Sequence, residues 1–319
     1  LRSIEDRAGR VSGSHGLAAG AILPSMQYLI DASVYVFRAY YSMPDDMLDR
    51  DGNPVNALYG FCRFFGDFLE QVQPRHIAVA FDESLASSFR NDIYPAYKAN
   101  REPAPEELKR QFLQCRRYVK ALGIVECGDP RYEADDFIGT LVARGRREGV
   151  PSTIVSRDKD LAQLLTRADC FWDFAGKGKI DYDRIPEVFG VWPEQIADFL
   201  ALAGDSVDNI PGVPGVGKKT AAALLDHFGT LDKIYANLDR VHEVAVRGAK
   251  TLAAKLDTHR EAAELARRLT GIALDAPMHD VPLTPGRPRL GEINALFDEA
   301  DFGMALRRQA ERLADIYSA

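Results

Sequence analysis

Three short apolar runs in this chain each end on a carboxylate, and that pattern leaves few ways to fold. YLID closes on Asp31, HIAVAFD on Asp82, and STIVSRDKD on Asp158 and Asp160. The runs are brief, rich in β-branched or aromatic residues and bounded by turn or helix signals, as in strands buried on both faces of a parallel sheet. Helical segments alternate with them: PVNALYGFCRFFGDFLEQV, EELKRQFLQCRRYVKALG and ADDFIGTLVARGRREG. This alternation predicts an α/β fold, a mostly parallel sheet flanked by helices, over residues 26–190. Ligands of such sheets sit in the crevice beyond the carboxyl ends of the strands. Three strands therefore deliver acid to one edge.

Glu133, Asp135 and Asp136 open the third helix, and Asp205 and Asp208 follow an apolar helical run, which brings the acidic set to nine. Acid in a first helical turn also serves as a cap and suits the helix dipole, the plainer reading of Glu133, Asp135 and Asp136. Nine carboxylates sharing one pocket would repel strongly unless divalent cations sat among them. Oxygen-only ligation suits Mg²⁺ or Mn²⁺.

The formal net charge of −7 argues against a nucleic-acid partner only until these acids are set aside. Of 47 acids, removing the nine leaves 38 against 40 basic residues. Cys62, Cys115, Cys127 and Cys170 show no paired spacing, and the six histidines show no zinc pattern. No apolar run approaches the ~20 residues of a membrane span, and a cytoplasmic protein is expected. Residues 1–25, rich in Gly, Ser and Ala, are expected to be a disordered extension before Met26.

From about Trp192 helices dominate, so residues 191–319 are expected to form a helical domain. Within it, PGVPGVGKKTA joins two amphipathic helices across about residues 194–228, a helix-hairpin-helix pattern. Gly215 and Gly217 permit close backbone approach, helix-start amides can face a phosphate, and Lys218, Lys219 and Thr220 add charge and a hydroxyl. A glycine-rich turn between packed helices is the alternative. Between Asp82 and the second helix, SSFRNDIYPAYKANREPAPEEL interleaves Arg90, Lys98 and Arg101 with Phe89, Tyr94 and Tyr97. Such a mixture suits a single nucleic-acid strand, phosphates on cations and bases on rings; otherwise the rings pack back on the core.

YLIDAS followed by Arg38 and Tyr40, AVAFD, SFRNDIYPAYKANR, YEADDFIGTL, SRDKDLAQLL, FLALAGDSVDNIPGVPGVGKKTAAALL and RGAKTLAAKL together resemble the bacterial 5′ nuclease family. That family includes the 5′ nuclease domain of DNA polymerase I, phage 5′ nucleases and flap endonucleases. The resemblance implies a PIN-like or resolvase-like core and hydrolysis of 5′ flaps, nicked or recessed 5′ ends, RNA primer segments included, in Okazaki-fragment processing and repair. It implies two or more Mg²⁺ ions on Asp31, Asp82, Glu133, Asp135, Asp136, Asp158, Asp160, Asp205 and Asp208. Lys98, Arg101 and Arg38 are implied to meet the phosphate, and about residues 84–105 to form a helical arch in which Arg90 and Tyr97 contact nucleic acid. A K⁺ ion at the hairpin is implied on the carbonyls of Leu202, Ala203, Pro211, Val213 and Val216. The chain is read as a monomer, either a stand-alone nuclease or a domain of DNA polymerase I. A non-catalytic DNA-binding module and a ribonuclease of related acidic-site architecture are the rival readings.

Replacing Lys218 and Lys219 together by alanine is expected to weaken duplex binding and to lower the slope of log affinity against log salt by about 2, one unit for each phosphate that no longer has a lysine to neutralise it. Fluorescence anisotropy across a salt series measures it.

Overall fold

The structure, a computed structural model, describes residues 26–83, 87–174, 176 and 178–318; the expected extension at 1–25 lies outside the described residues. One sheet has the strand order β3-β2-β1-β4-β5-β6, formed by β1 (Gln27–Asp31), β2 (His76–Ala80), β3 (Val125–Cys127), β4 (Ser152–Val155), β5 (Cys170–Asp173) and β6 (Gly178–Asp181). Every neighbouring pair is parallel except β5 and β6, which run antiparallel. Around the sheet lie α1 (Ala32–Ser42), α2 (Asn56–Val72), α3 (Phe89–Ile93), α4 (Glu106–Ala121) and α5 (Ala134–Glu148). Then follow α6 (Ile185–Phe189), α7 (Ile196–Ala203), α8 (Lys218–Phe228), α9 (Leu231–Ala236), α10 (Ala249–Thr258), α11 (Arg260–Thr270), α12 (Leu290–Glu299) and α13 (Met304–Ile316).

Strand alternation divides the core in two. Leu29 of β1 joins Phe137, Ile138 and Leu141 of α5 on one face. Its neighbour Ile30 joins Val36, Phe61 and Phe65 of α1 and α2 on the other. The α5-side core continues into the helical layer through Leu202, Leu224, Leu225 and Leu256. The α/β layer and the hairpin helices thus share one apolar interior, which fixes the hairpin relative to the sheet.

The seam between them is tight at Gly139. A Cβ there would lie 2.6 Å from Ile272 Cγ2 and 2.7 Å from the Ala273 carbonyl. Next to it the Ala276 amide donates to Thr140 Oγ1 at 2.9 Å. The glycine is what lets the segment leaving α11 lie directly on α5.

The end of the chain departs from the expected helical domain at 191–319. α12 and α13 turn back onto the α/β layer, where Phe297 meets Tyr118 of α4 at 5.8 Å and Gln309 donates to Asp67 of α2 at 2.8 Å. Their apolar stripes, Ile293, Leu296, Leu306 and Leu313 among them, complete the α2–α4 core. The run that reads as one helical stretch breaks at Asp301, whose φ is +54°, before α13 restarts. Several short elements were not read from the sequence, among them β3, β5, α3, α6, α9 and the half-exposed β6, and neither was α1, directly after the first apolar run. Among the described residues no helix is long and apolar enough to cross a membrane.

Gly139→Ala is expected to cost about 1–3 kcal/mol by forcing the seam apart. Gly291→Ala in α12, where a Cβ meets nothing within 4 Å, serves as control and is expected to be neutral or mildly stabilising. Urea denaturation of the two variants measures the difference.

Candidate active site

The sheet places the acids. Asp31 is the last residue of β1, while Asp82 and Asp158 lie just past the ends of β2 and β4. β1 and β4 are adjacent although β2 and β3 continue from β1 in the other direction, so Asp31 and Asp158 flank the switch point of the sheet. A cleft opens there, with walls including Asp31, Asp82, Glu133, Asp135, Asp158, Asp160, Asp205 and Asp208. Eight of the nine predicted acids are therefore brought together.

Local hydrogen bonds aim them. Ser156 Oγ donates to Asp31 Oδ2 at 2.7 Å and accepts from the Asp158 amide at 2.8 Å, linking the two strand ends. The Ala134 amide donates to Asp82 Oδ1 at 2.9 Å, which ties the segment after β2 to the first residue of α5. An antiparallel bridge between Asp205 and Ile210 closes the loop after α7, and the Val207 amide donates to Asp205 Oδ1 at 2.8 Å.

Crowding shows in the proton affinities. Burial, then Asp82 and Asp158, pushes Asp31 up to about 8 despite the Ser156 bond. Asp135 is raised well above its ordinary value by burial and by Asp158, Asp31 and Asp82. Asp160 is pushed up to about 7 by burial and by Asp158, Asp205 and Asp208. Glu133 moves the other way: burial would raise it, but Lys98 and Arg90 hold it below the usual carboxylate range. The donor set, oxygen-only and carrying more negative charge than its surroundings balance, fits hard divalent cations. Among the described residues the acids do not form a closed ligand cage; they line the cleft walls.

Asp136 requires correction. Its carboxylate is fully buried on the opposite side of α5's first turn, where it accepts from Arg90 Nη1 and Nη2 at 2.8 Å each, from Ala273 N at 2.9 Å and from Glu133 N at 3.1 Å. All its lone-pair directions are occupied, so it is a cap and ion-pair partner, not a metal ligand. Arg90 and Tyr97, expected to contact nucleic acid, are mostly spent on protein partners: both are buried, Arg90 on Asp136 and Glu133, and Tyr97 donating its hydroxyl to Glu133 Oε2 at 3.2 Å, and both border the acid cleft.

The segment expected as a helical arch carries only one short helix, α3, among its described residues; residues 84–86 lie outside them. Beyond α3 it packs down on the loop after α7. The Lys98 amide donates to the Asp208 carbonyl at 2.9 Å, and Asn209 Nδ2 donates to the Ala96 carbonyl at 2.7 Å. Lys98 adopts a left-handed backbone, φ +54°, and its ammonium pairs with Glu133; Arg101 pairs with Asp208. Both cations thus line the acid cleft. Arg38 does not. It lies in a second cleft with Tyr35, Met43, Asp67 and Phe174, because α1 carries it away from Asp31, which corrects its reading as a phosphate contact beside the first acid.

At the hairpin, Gly215 has φ +81° and Gly217 caps α8, leaving Lys218 and Lys219 exposed and Thr220 half-buried in its first turn. The Leu202 carbonyl accepts from Val213 N and the Val213 carbonyl from Val216 N, both at 2.9 Å, so two of the five carbonyls assigned to K⁺ already close the hairpin. Ala203 is half-buried, Pro211 exposed and Val216 buried around the same turn. Lys255 was not singled out from sequence, yet its Nζ lies 3.2 Å from where a Gly215 Cβ would stand. An exposed lysine on an amphipathic helix carries no signal of its own. Arg157, beside Asp158, faces Asp173 at 3.5 Å.

Residues 26–190 match the family described as 5′-3′ exonuclease, N-terminal resolvase-like domain, and residues 191–287 match its C-terminal SAM fold. The chain belongs to the 5′-3′ exonuclease family. It is 40% identical to DNA polymerase I of Pseudomonas aeruginosa over 278 residues, 86% of this chain and 30% of that protein. With DNA polymerase I of Bacillus caldotenax identity is 38% over 289 residues, 88% of this chain and 32% of that protein. The chain thus spans about a third of the length of the curated relatives it matches.

Solved structures share the fold of this exonuclease-family chain. A bacteriophage T5 5′-exonuclease with bound zinc superposes with a TM-score of 0.61 at 19% identity, covering 91% of this chain and 99% of its own. The catalytic core of Rad2 in complex with DNA substrate superposes at 0.59 with 14% identity, covering 91% and 92%.

The raised acids set a stability dependence of definite sign. Asp31 and Asp160 hold protons in the folded state that the unfolded chain, with ordinary carboxyl values, has released. Their folded form is therefore favoured at low pH and penalised progressively as pH rises through about 7 and about 8. In EDTA the Tm is expected to fall by several degrees between about pH 5 and about pH 9. Mg²⁺ is expected to restore it most at the alkaline end, where the acids are free of protons. Scanning calorimetry with and without cation measures both.

Proposed function

We propose that this chain is a structure-specific 5′ nuclease that hydrolyses phosphodiester bonds at 5′ flaps, nicks and recessed 5′ ends of DNA, with Mg²⁺ or Mn²⁺ as cofactor. The observation that carries the reading is the cleft itself: eight carboxylates at the ends of β1, β2 and β4, the start of α5 and the loop after α7, beneath two cations of the arch. Asp31, Asp82, Asp135, Asp158 and Asp160, with Glu133, Asp205 and Asp208, would hold two or more divalent ions. Bound there, such ions would activate water and stabilise negative charge on the phosphate.

The chain's own residues contribute the rest. Lys98 and Arg101 line the same cleft, paired with Glu133 and Asp208, so a phosphodiester entering it would meet positive charge beside the acid set. Ser156 and the Ala134 amide hold Asp31 and Asp82 in fixed orientations, so neither acid must reorganise as charge develops. Lys218, Lys219 and Lys255 supply a basic surface for the duplex around the hairpin turn. K⁺ at the hairpin is part of this proposal, with Ala203, Pro211 and Val216 the carbonyls outside the two closing bonds. Action as a monomer on cytoplasmic DNA in Okazaki-fragment processing and repair, RNA primer segments included, completes it.

Labelled 5′-flap DNA, plain duplex and single-stranded RNA, each with Mg²⁺ or EDTA, separate this reading from its rivals. Cleavage of the flap only with Mg²⁺ is expected; binding without turnover would indicate a DNA-binding module, and cleavage of unbranched RNA alone a ribonuclease. Asp135→Ala is expected to lower the rate by a factor of at least about 10³ while leaving DNA affinity within a few-fold. Lys98→Ala is expected to lower turnover by a factor of about 10² or more, with a far smaller effect on binding. Single-turnover rates and anisotropy titrations of the two variants measure the split, and near-parental rates for Asp135→Ala would remove the metal assignment.

A further inference from the structure

The acid set comes from two bodies of the chain. Glu133 and Asp135 ride on α5 of the sheet layer, whereas Asp205 and Asp208 ride on the loop after α7 of the helical layer. Ions held by both groups depend on the spacing between the bodies, so whatever fixes that spacing governs cation affinity.

Arg90 sits on the joint. Its five guanidinium N–H groups are all engaged: Nε with the Leu269 carbonyl at 2.9 Å, Nη1 with Asp136 at 2.8 Å and Glu133 at 3.4 Å, and Nη2 with Asp136 at 2.8 Å and the Gly271 carbonyl at 2.9 Å. Leu269 and Gly271 bracket the end of α11, and Thr270 between them donates to the Ala197 carbonyl of α7 at 3.1 Å. One side chain thus ties the root of the arch, the first turn of α5 and the helix pair that carries Asp205 and Asp208. Arg90 is 3% exposed and Asp136 0%, so the pair has no solvent to substitute for a missing partner.

We propose that Arg90, paired with Asp136, is a positioning residue that sets the register of the two halves of the acid set and thereby its affinity for divalent cations. Although it borders the cleft, its N–H groups are all spent on protein acceptors, so it acts through them. A planar fork with five fixed donors meets this geometry, and a lysine, with three donors on one atom, does not. The inference rests on the metallonuclease reading above.

Calorimetric titration with Ca²⁺, together with Tm, tests it on Arg90→Met, Arg90→Lys, Asp136→Asn and the double variant Arg90→Met/Asp136→Leu. Arg90→Met alone strands a buried carboxylate and is expected to lose much of its Tm. The double variant replaces the pair by apolar volume and is expected to recover most of that Tm, yet to bind Ca²⁺ about tenfold or more weakly than the parent. Arg90→Lys, which keeps the charge, is expected to show the same loss of affinity and provides the comparison if the double variant fails to fold. Asp136→Asn is expected to keep the parental number of bound ions at reduced affinity. Parental Ca²⁺ affinity in a folded double variant or in Arg90→Lys would overturn the proposal, as would loss of one bound ion in Asp136→Asn. A parent chain that binds no Ca²⁺ would instead remove the metallonuclease reading, so the two failures are distinguishable.

Discussion

Mutual repulsion among carboxylates at one sheet edge is the constraint around which the structure is arranged. Buried acids beside one another are costly in a medium less polar than water, and the fold answers by several means at once. Ser156 and the Ala134 amide donate to individual oxygens, Lys98 and Arg101 bring positive charge from the arch, and Asp31, Asp135 and Asp160 favour protonation. Each answer is partial. The excess negative charge that remains is what suits the cleft to divalent cations, so the same electrostatic cost that burdens the chain alone becomes binding energy once an ion enters.

Apolar packing works beside the Arg90–Asp136 pair to make the surroundings of the cleft rigid. The α5-side core runs unbroken from the sheet into the hairpin helices, and Gly139 lets the two layers meet without clearance. On the far face, α12 and α13 close the α2–α4 core and hold the layer from behind. The acids therefore stand on elements packed on both sides, and the segment that faces them joins the α5-side core through Tyr97, with Ile93 and Tyr94 packed against it, in addition to its hydrogen bonds and ion pairs.

Much of this was legible in the sequence because its signals were local. An apolar run that ends on Asp announces both a strand and the edge at which its acid appears, and Asp31, Asp82 and Asp158 lie there. Asp135 and Asp136 mark where local reading stops. Adjacent helix residues point about 100° apart, so only one of them can face the cleft. The choice is decided by Arg90, which lies 46 positions earlier in the chain than Asp136. Arg38 was misplaced for a related reason, since the helical nature of α1 was not read and two turns of helix separate it from Asp31. α12 and α13 show the same limit on a larger scale, because an apolar stripe tells that a helix packs and not against which partner.

The left-handed backbone at Lys98 couples conformation to charge. Among the described residues of the arch it alone is a side-chain-bearing residue with positive φ, a conformation that costs on the order of 1–3 kcal/mol. The segment therefore carries its backbone cost at the very residue whose ammonium reaches the acids, and the ion pair with Glu133 together with the amide bond to the Asp208 carbonyl offsets it. The cation is thus held in the cleft by the acids themselves, so removing Glu133 takes away the partner that supports an unfavourable backbone as well as a charge.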